Sequence, residues 1–365
     1  MSRNWTKIES ETIDFLRPVM AFMVICLHVQ FFYVDEQWSM SGGGFNFFVI
    51  MLCKVICPVA VPTFFFISGF LFFKGLEDWD KDVWKRKMIK RIRTLLVPFI
   101  LWNLIALLAF PLTRFAGSVI KGVPMENVWY TIQNRGVLRL FWDRTLFESS
   151  FGQPMNTPLW FVRDLMVVVL LTPVIHCLIK KTGFLSVLVI AAFYLSGIWI
   201  PVSGFSTTAA FFFIWGSYYS IKRRSFTESF HKARVLFTIL FFMGVLSVPF
   251  IWDKNPRLFS LTEKILIIIT VVFCFGITSN LIVDKKVCVK VPLVKSSFFV
   301  YCSHMVIIAS SVMMLVLALP TNSDVMRSVL YIAGVILIYL ICHIIYLIME
   351  RFCPSILRVL SGGRN

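Results

Sequence analysis

Residues 12–34 read TIDFLRPVMAFMVICLHVQFFYV, a largely apolar run that contains Asp14, Arg17 and His28. A helix needs roughly 20 mainly apolar residues to cross the hydrocarbon core of a bilayer. This run is therefore long enough for one crossing. Because lipid offers the backbone no hydrogen-bond partners, we expect the run to be helical. It is too long for a cleaved signal peptide and has no clear small-residue cleavage site.

Similar runs recur along the whole chain. Of the 365 residues, 58% are hydrophobic and 15% are charged, and the mean hydropathy is +0.81. A soluble domain carries about 25% charged residues, so this composition excludes a soluble globular enzyme. We predict an all-α integral membrane protein, a bundle of about ten transmembrane helices. The predicted spans are 12–34, 45–73, 92–112, 158–179, 183–200, 205–221, 234–252, 263–283, 296–319 and 328–350.

Lys and Arg are concentrated in alternate loops. Segments 74–91, 222–234 and 284–295 are rich in them, whereas 35–44 and 201–204 have none. Basic loops stay on the cytoplasmic side of a membrane. The alternation therefore predicts a multi-pass protein of the cell (inner) membrane with both termini in the cytoplasm. Most of the formal charge of +17 lies in these cytoplasmic segments, so we expect no nucleic-acid partner.

The rest of the chain predicts one domain, residues 1–365, with a long outer loop at about 113–157 and no appended soluble domain. Pro58 and Pro62 lie inside the second span and predict a kink or break there. The nine cysteines lie in or near the spans, without a Cys-x-x-Cys pattern. Disulfides are therefore not expected, and no metal is implied.

Arg17 and His28 are the first candidates for a functional site, because charged and titratable groups inside a membrane are costly. On an α-helix, 11 residues place them on one face about 16 Å apart along the axis. Arg17 would lie near the cytoplasmic edge, where it suits a phosphate, and His28 deeper, where it suits a general base. Alternatively, Arg17 snorkels to lipid headgroups and His28 hydrogen-bonds a neighbouring helix.

The third span opens with Lys90-Arg-Ile-Arg93 at the same cytoplasmic level. Arg91 and Arg93 predict a phosphate site, and the alternative is a membrane anchor that contacts anionic lipids. The stretch from Glu77 to Arg93 also resembles an interfacial amphipathic helix. In the second span, Ser68-Gly69 predicts a close helix contact rather than a nucleophile.

Three further charges fall inside spans. Arg163 and Asp164 lie about 8–9 Å from the outer side. Asp164 is a candidate for orienting His28, or both residues contact a polar substrate; the alternative is a self-contained ion pair. Lys54, at a comparable depth, is a candidate for contacting substrate or an oxyanion, or it pairs with an acid.

Five segments together resemble the membrane acyltransferase-3 family, and the resemblance covers essentially the whole chain. They are Arg17 with His28, the Arg91-Ile-Arg93 triplet, VPTFFFISGFL at 61–71, PLWF at 158–161 and SFFVYCSH at 297–304.

The resemblance implies an enzyme that moves an acetyl group from cytoplasmic acetyl-CoA to a hydroxyl of an envelope saccharide or its lipid-linked precursor. Arg17, Arg91 and Arg93 would bind the CoA phosphates, and His28 would act at the thioester. His28 would act as a base in direct transfer or form a transient acyl-histidine.

Trp160 and His304 match family positions, and we assign them to the substrate together with Arg163 and Lys54. For His304 the alternative is an interhelical hydrogen bond. The expected partners are the saccharide or lipid-linked glycan acceptor and membrane lipids, and a homo-oligomer is left open.

A secondary transporter or flippase that uses the same charges is the alternative function. A transporter predicts paired broken helices in two related halves, whereas an acyltransferase predicts a cytoplasmic arginine pocket leading to His28.

Overall fold

The computed structural model describes residues 4–29, 42–76, 79–121, 152–200, 202–317 and 323–363, together with 40, 141, 142 and 319. All regular structure in these ranges is helical. The α-helices are α1 (Trp5–Val29), α2 (Gly44–Ile50), α3 (Ala60–Phe73), α4 (Lys81–Arg91), α5 (Val97–Lys121), α6 (Trp160–Leu170), α7 (Thr172–Thr182), α8 (Leu185–Ser196), α9 (Thr207–Ile221), α10 (Phe226–Ile251), α11 (Pro256–Val283), α12 (Val291–Ser303), α13 (Ala309–Leu317), α14 (Asp324–Phe352) and α15 (Pro354–Leu360).

Short segments of other helix types join several of these helices. Two 3₁₀ turns, Cys57–Val59 and Thr157–Leu159, precede α3 and α6. Within the described ranges, the π-helical segments are Met51–Ile56, Ile92–Leu96 and His304–Ile308. The second predicted span is thus a run of α, π, 3₁₀ and α geometry, and its 3₁₀ turn Cys57–Val59 contains Pro58, one of the two prolines at which the sequence predicts a kink or break.

Each of the ten predicted spans overlaps helical residues. Among the described residues, six helical segments are by themselves long and apolar enough to cross a membrane, and the pair α6–α7, bent by 63°, gives a seventh. Helix α8 has 12 residues, about 18 Å, against a hydrocarbon core of about 30 Å. The all-α membrane fold agrees with the prediction, whereas ten crossings and cytoplasmic termini stay predictions.

Helix α5 is longer than the third predicted span. It continues to Lys121, so the first residues of the predicted outer loop 113–157 are helical. Residues 122–140 and 143–151 of that loop lie outside the described residues.

Helix α1 occupies the centre of the bundle and packs against α3, α11, α12 and α14. Its residues Ile13, Leu16, Met20 and Val24 are buried, and their spacing of three or four residues forms one apolar stripe. Helix α1 carries Arg17 and His28, and both side chains are partly buried.

The tightest helix contact joins α3 and α9. A Cβ on Gly69 would lie 2.0 Å from the Phe213 carbonyl oxygen, and a Cβ on Gly216 would lie 2.0 Å from that of Phe66. Only glycine permits this approach of two backbones. The close contact predicted at Gly69 is therefore confirmed.

Helix α10 presents large apolar side chains to the surroundings. Seven of them are more than half exposed: Val235, Leu236, Ile239, Phe242, Met243, Leu246 and Phe250. A contiguous apolar surface of this kind is unfavourable in water and suits contact with lipid.

Helix α4 has no buried residue. It follows Trp79, whose ring stacks on His176 with centroids 4.9 Å apart, and its Trp84 Nε1 donates to Thr172 Oγ1 at 3.2 Å. Helix α4 is thus basic, exposed and held by tryptophan contacts, and its position at a membrane interface stays a prediction.

Candidate active site

A cavity of about 360 Å³ lies between α1, α3, α6, α12 and the junction of α4 and α5. We call it the cationic cavity, because Arg17, Arg91 and Lys295 line it together with Ser68 and Ser297. Its remaining lining residues are apolar or aromatic: Phe64, Ile67, Leu71, Leu95, Phe161, Leu165, Val294, Phe298 and Tyr301.

The cavity has a cationic end and an aromatic end. Along α12, Tyr301 follows Lys295 by six residues, or about 9 Å. Along α3, Phe64 precedes Leu71 by a similar length. The cationic end therefore lies beside the Lys/Arg-rich termini of the helices, and the aromatic end lies deeper in the bundle.

The cationic end brings Arg17 and Arg91 together. Arg17 Nη1 donates to Asp14 Oδ1 at 2.7 Å, and about a third of each side chain is exposed. The Arg91 guanidinium lies 5.7 Å from the centroid of the Phe72 ring, a distance suited to a cation–π contact. Arg17 and Arg91 thus lie together at the mouth, available to an anion.

Arg93 does not line this cavity, and its side chain is exposed. Residues two apart on a helix point in nearly opposite directions. The structure therefore separates the two members of the predicted Arg-x-Arg site, with Arg91 inside and Arg93 outside.

His28 and His304 form a pair in the interior. Their ring centroids are 5.2 Å apart, and His304 Nε2 lies 3.4 Å from His28 Nδ1. His28 Nδ1 also lies 2.8 Å from the Val24 carbonyl oxygen. His304 Nδ1 lies 2.9 Å from that of Tyr301.

The backbone contacts assign the tautomer of both rings. A carbonyl oxygen can only accept, so each Nδ1 carries the proton. In the neutral rings each Nε2 then holds a lone pair. His304 Nε2 accepts weakly from His28 Nδ1–H, and His28 Nε2 is the nitrogen that can accept a proton.

Tyr301 connects the histidine pair to the cationic cavity. Its ring lines the cavity and lies 6.4 Å from His304, centroid to centroid. Its hydroxyl donates to the Pro158 carbonyl oxygen, and Asn156 Nδ2 donates to the Cys302 carbonyl oxygen at 2.8 Å. These bonds hold the turn before α6 against α12, so Tyr301 forms the wall between cavity and histidines.

A second cavity, of about 270 Å³, lies between α6, the start of α9 and residues 202–206. We call it the Asp164 cavity. Its polar and aromatic lining includes Gln153, Trp160, Arg163, Asp164, Ser206 and Thr208.

Arg163 is saturated with acceptors. Its Nη1 donates to the carbonyl oxygens of Trp142 and Gly152, each at 2.6 Å, and to Ser203 Oγ at 2.9 Å. Nε and Nη2 donate to Asp164 Oδ1 at 3.1 and 3.0 Å. Arg163 is only 3% exposed. Through these hydrogen bonds it joins residues from three separate segments of the chain.

Asp164 does not contact His28. Its partners are Arg163 and the Ser206 backbone N–H, which donates to Oδ2 at 3.3 Å. The geometry therefore corresponds to the alternative of a local ion pair, and His304 occupies the position beside His28. Trp160, half-buried, shares the Asp164 cavity.

Lys54 lies in the π segment Met51–Ile56, away from both cavities. It interacts electrostatically with Glu263 of α11. This interaction corresponds to the alternative of pairing with an acid. In the described part of the chain, no group of three or more His, Cys, Asp or Glu side chains is placed to hold a metal ion.

Lys295 and Tyr301 are the lining residues that sequence reasoning missed. The apolar run begins at 296, so hydropathy alone places Lys295 in the loop 284–295. The available signal was Pro292, which marks a helix start and places Lys295 inside α12, nine residues before His304.

The family model described as an acyltransferase domain, acyltransferase-3, matches residues 11–347. The chain belongs to the acyltransferase-3 family. Its similarity extends to the succinoglycan biosynthesis protein ExoH of Rhizobium meliloti (strain 1021), 27% identical over 198 residues. That match covers 50% of this acyltransferase-3 chain and 47% of the length of ExoH. No solved structure matches.

Proposed function

We propose that this acyltransferase-3 chain is a membrane O-acyltransferase. It transfers an acetyl group from cytoplasmic acetyl-CoA to a hydroxyl of an envelope saccharide or its lipid-linked precursor. The observation that carries this proposal is the cationic cavity, which joins Arg17 and Arg91 at one end to Tyr301 at the other. Tyr301 in turn lies beside His304, and His304 lies beside His28.

The shape and charge of the cationic cavity fit the donor. CoA has a polyanionic end, a long thin arm and a thioester. Arg17 and Arg91 bind the phosphates, since guanidinium groups match phosphate oxygens, and the apolar walls contact the arm. Arg93, at the surface beside the mouth, serves as an outer electrostatic contact.

His28 carries out the chemical step as a general base. Its Nε2 accepts the proton of the acceptor hydroxyl as the hydroxyl oxygen attacks the thioester carbonyl. The new C–O bond forms, the C–S bond breaks, and the departing thiolate takes the proton. The Val24 carbonyl oxygen and, more weakly, His304 Nε2 accept from His28 Nδ1–H and so orient the ring.

The acceptor is proposed from a relative and from the second cavity. The name of ExoH refers to succinoglycan biosynthesis, which supports a saccharide. Trp160 offers an aromatic face that suits a sugar ring, and the Arg163–Asp164 pair holds the residues around this cavity in position. The acceptor reaches the site from the outer side of the inner membrane.

Purified full-length protein tests the proposal through acetyl-CoA binding and turnover. We expect His28→Ala to lower turnover by about 10²–10⁴-fold with CoA affinity preserved. We expect Arg17→Ala to weaken CoA binding about tenfold or more, because a charge-assisted hydrogen bond is lost. His176→Ala, outside both cavities, is the matched control. Wild-type protein that neither binds nor turns over acetyl-CoA would contradict the proposed function.

A further inference from the structure

Lys295 shares the cationic cavity with Arg17 and Arg91. It lies on α12, on a different helix from either arginine. Its Nζ lies 3.9 Å from Glu350 Oε1 of α14, and the two side chains are 42% and 41% exposed. Lys295 is therefore a cavity cation with a carboxylate partner on its far side.

The ion pair of Lys295 differs from that of Arg17. Arg17 and Asp14 are 2.7 Å apart, within direct hydrogen-bond distance. The 3.9 Å between Lys295 and Glu350 is too long for a hydrogen bond. Such partly exposed pairs contribute little stability, so Lys295 can exchange Glu350 for a stronger anion.

Glu350 has a second partner that does not depend on Lys295. The Tyr346 hydroxyl donates to Glu350 Oε1 at 3.4 Å, and Tyr346 is fully buried. Glu350 therefore has one contact that does not involve the cavity.

We propose that Lys295 is a third phosphate-binding cation of the cationic cavity, and that Glu350 is the counter-ion which a phosphate of the donor displaces. This inference rests on the proposed function. CoA carries a diphosphate and a separate phosphate monoester. Three cations on three helices match this spread of charge better than two arginines alone.

The exchange also makes the site selective. A ligand gains the contact with Lys295 only if it competes successfully with Glu350 for the ammonium group. A dianionic phosphate does so better than a carboxylate or chloride. The pair therefore favours phosphorylated acyl donors over small anions.

The test is equilibrium binding of CoA to the purified full-length protein at several salt concentrations. We expect Lys295→Gln to weaken binding about tenfold, the value for one charge-assisted contact, and to flatten its salt dependence. We expect Glu350→Gln to tighten binding about two- to threefold, because removing a weak exposed ion pair frees Lys295.

The opposite signs separate this inference from a structural role. If the ion pair only joins α12 to α14, both variants weaken binding and lower the unfolding temperature together. That result would overturn the inference, as would an unchanged CoA affinity in Lys295→Gln. Lys286→Gln breaks a comparable pair with Asp284, 3.6 Å apart, outside the cavity, and we expect no change. Absence of CoA binding by the wild type would instead overturn the proposed function itself.

Discussion

Helix α6 takes part in two cavities that use charged residues differently. Phe161 and Leu165 line the cationic cavity, whereas Trp160, Arg163 and Asp164 line the Asp164 cavity. In the first, the ion pairs of Arg17 and Lys295 are partly exposed. In the second, Arg163 and Asp164 are each about 3% exposed and satisfied by protein groups.

The difference in exposure distinguishes cations that can bind a ligand from a charge pair that stabilises the fold. A partly exposed pair contributes little stability and leaves its cation available to a ligand. A buried pair that loses one member leaves an uncompensated charge. Charge alone therefore does not identify a ligand site. A charged side chain is a candidate for binding when its own hydrogen-bonding groups are not all used by other protein groups.

The largest expected effect concerns stability. Replacing Arg163 with Met leaves Asp164 buried without its cation and removes the bonds to Trp142, Gly152 and Ser203. We expect a loss of about 3–5 kcal/mol in unfolding free energy, measured as a large fall in thermal unfolding temperature in detergent. Arg17→Met is the control, with a loss of at most about 1 kcal/mol. Equal losses in the two variants would contradict the comparison.

The second largest effect is on donor binding, and it compares Arg91, which lines the cationic cavity, with Arg93, which does not. We expect Arg91→Gln to raise the KM for acetyl-CoA about ten- to a hundredfold, since it removes a charge-assisted contact of about 1.5–3 kcal/mol. For Arg93→Gln, exposed and outside the cavity, we expect less than about a threefold change, because exposed charges are screened. Steady-state kinetics of both variants measure this, and a larger effect at Arg93 would place the donor elsewhere.

The smallest effect concerns the wall between the cavity and the histidines. Tyr301→Phe removes the bond to the Pro158 carbonyl but keeps the ring. We expect about 1 kcal/mol of destabilisation and a lower kcat, with the KM for acetyl-CoA unchanged. Phe298→Leu, in the same cavity wall without a hydroxyl, is the control. An altered KM with an unchanged kcat would show that Tyr301 contacts the donor rather than positions the histidines.

The sequence predicted well whatever depends on position within one helix. Arg17 and His28 share one side of α1, because the helix continues through Pro18. Gly69 forms a close backbone contact with α9, as its small size predicts. These predictions needed only helical periodicity and the known behaviour of glycine and proline.

Contacts between helices were harder to predict. The partner of His28 is His304, 276 residues away along the chain, and Asp164 pairs with its own neighbour. Arg93 was grouped with Arg91 by adjacency, although adjacency on a helix separates side chains. Lys295 was assigned to a loop because the helix start at Pro292 precedes the apolar run.

The π-helical segments of the described chain each include a candidate site residue: Lys54, Arg93 or His304. Because π hydrogen bonds span one more residue than α bonds, such a segment is equivalent to a single-residue insertion in an α-helix. Deleting one residue from Met305–Ile308 would restore α geometry and rotate His304 relative to α13 by about 100°. The alignment of His304 with His28 is thus a matter of helical register, set by the number of residues in α12 and α13 as much as by their identity.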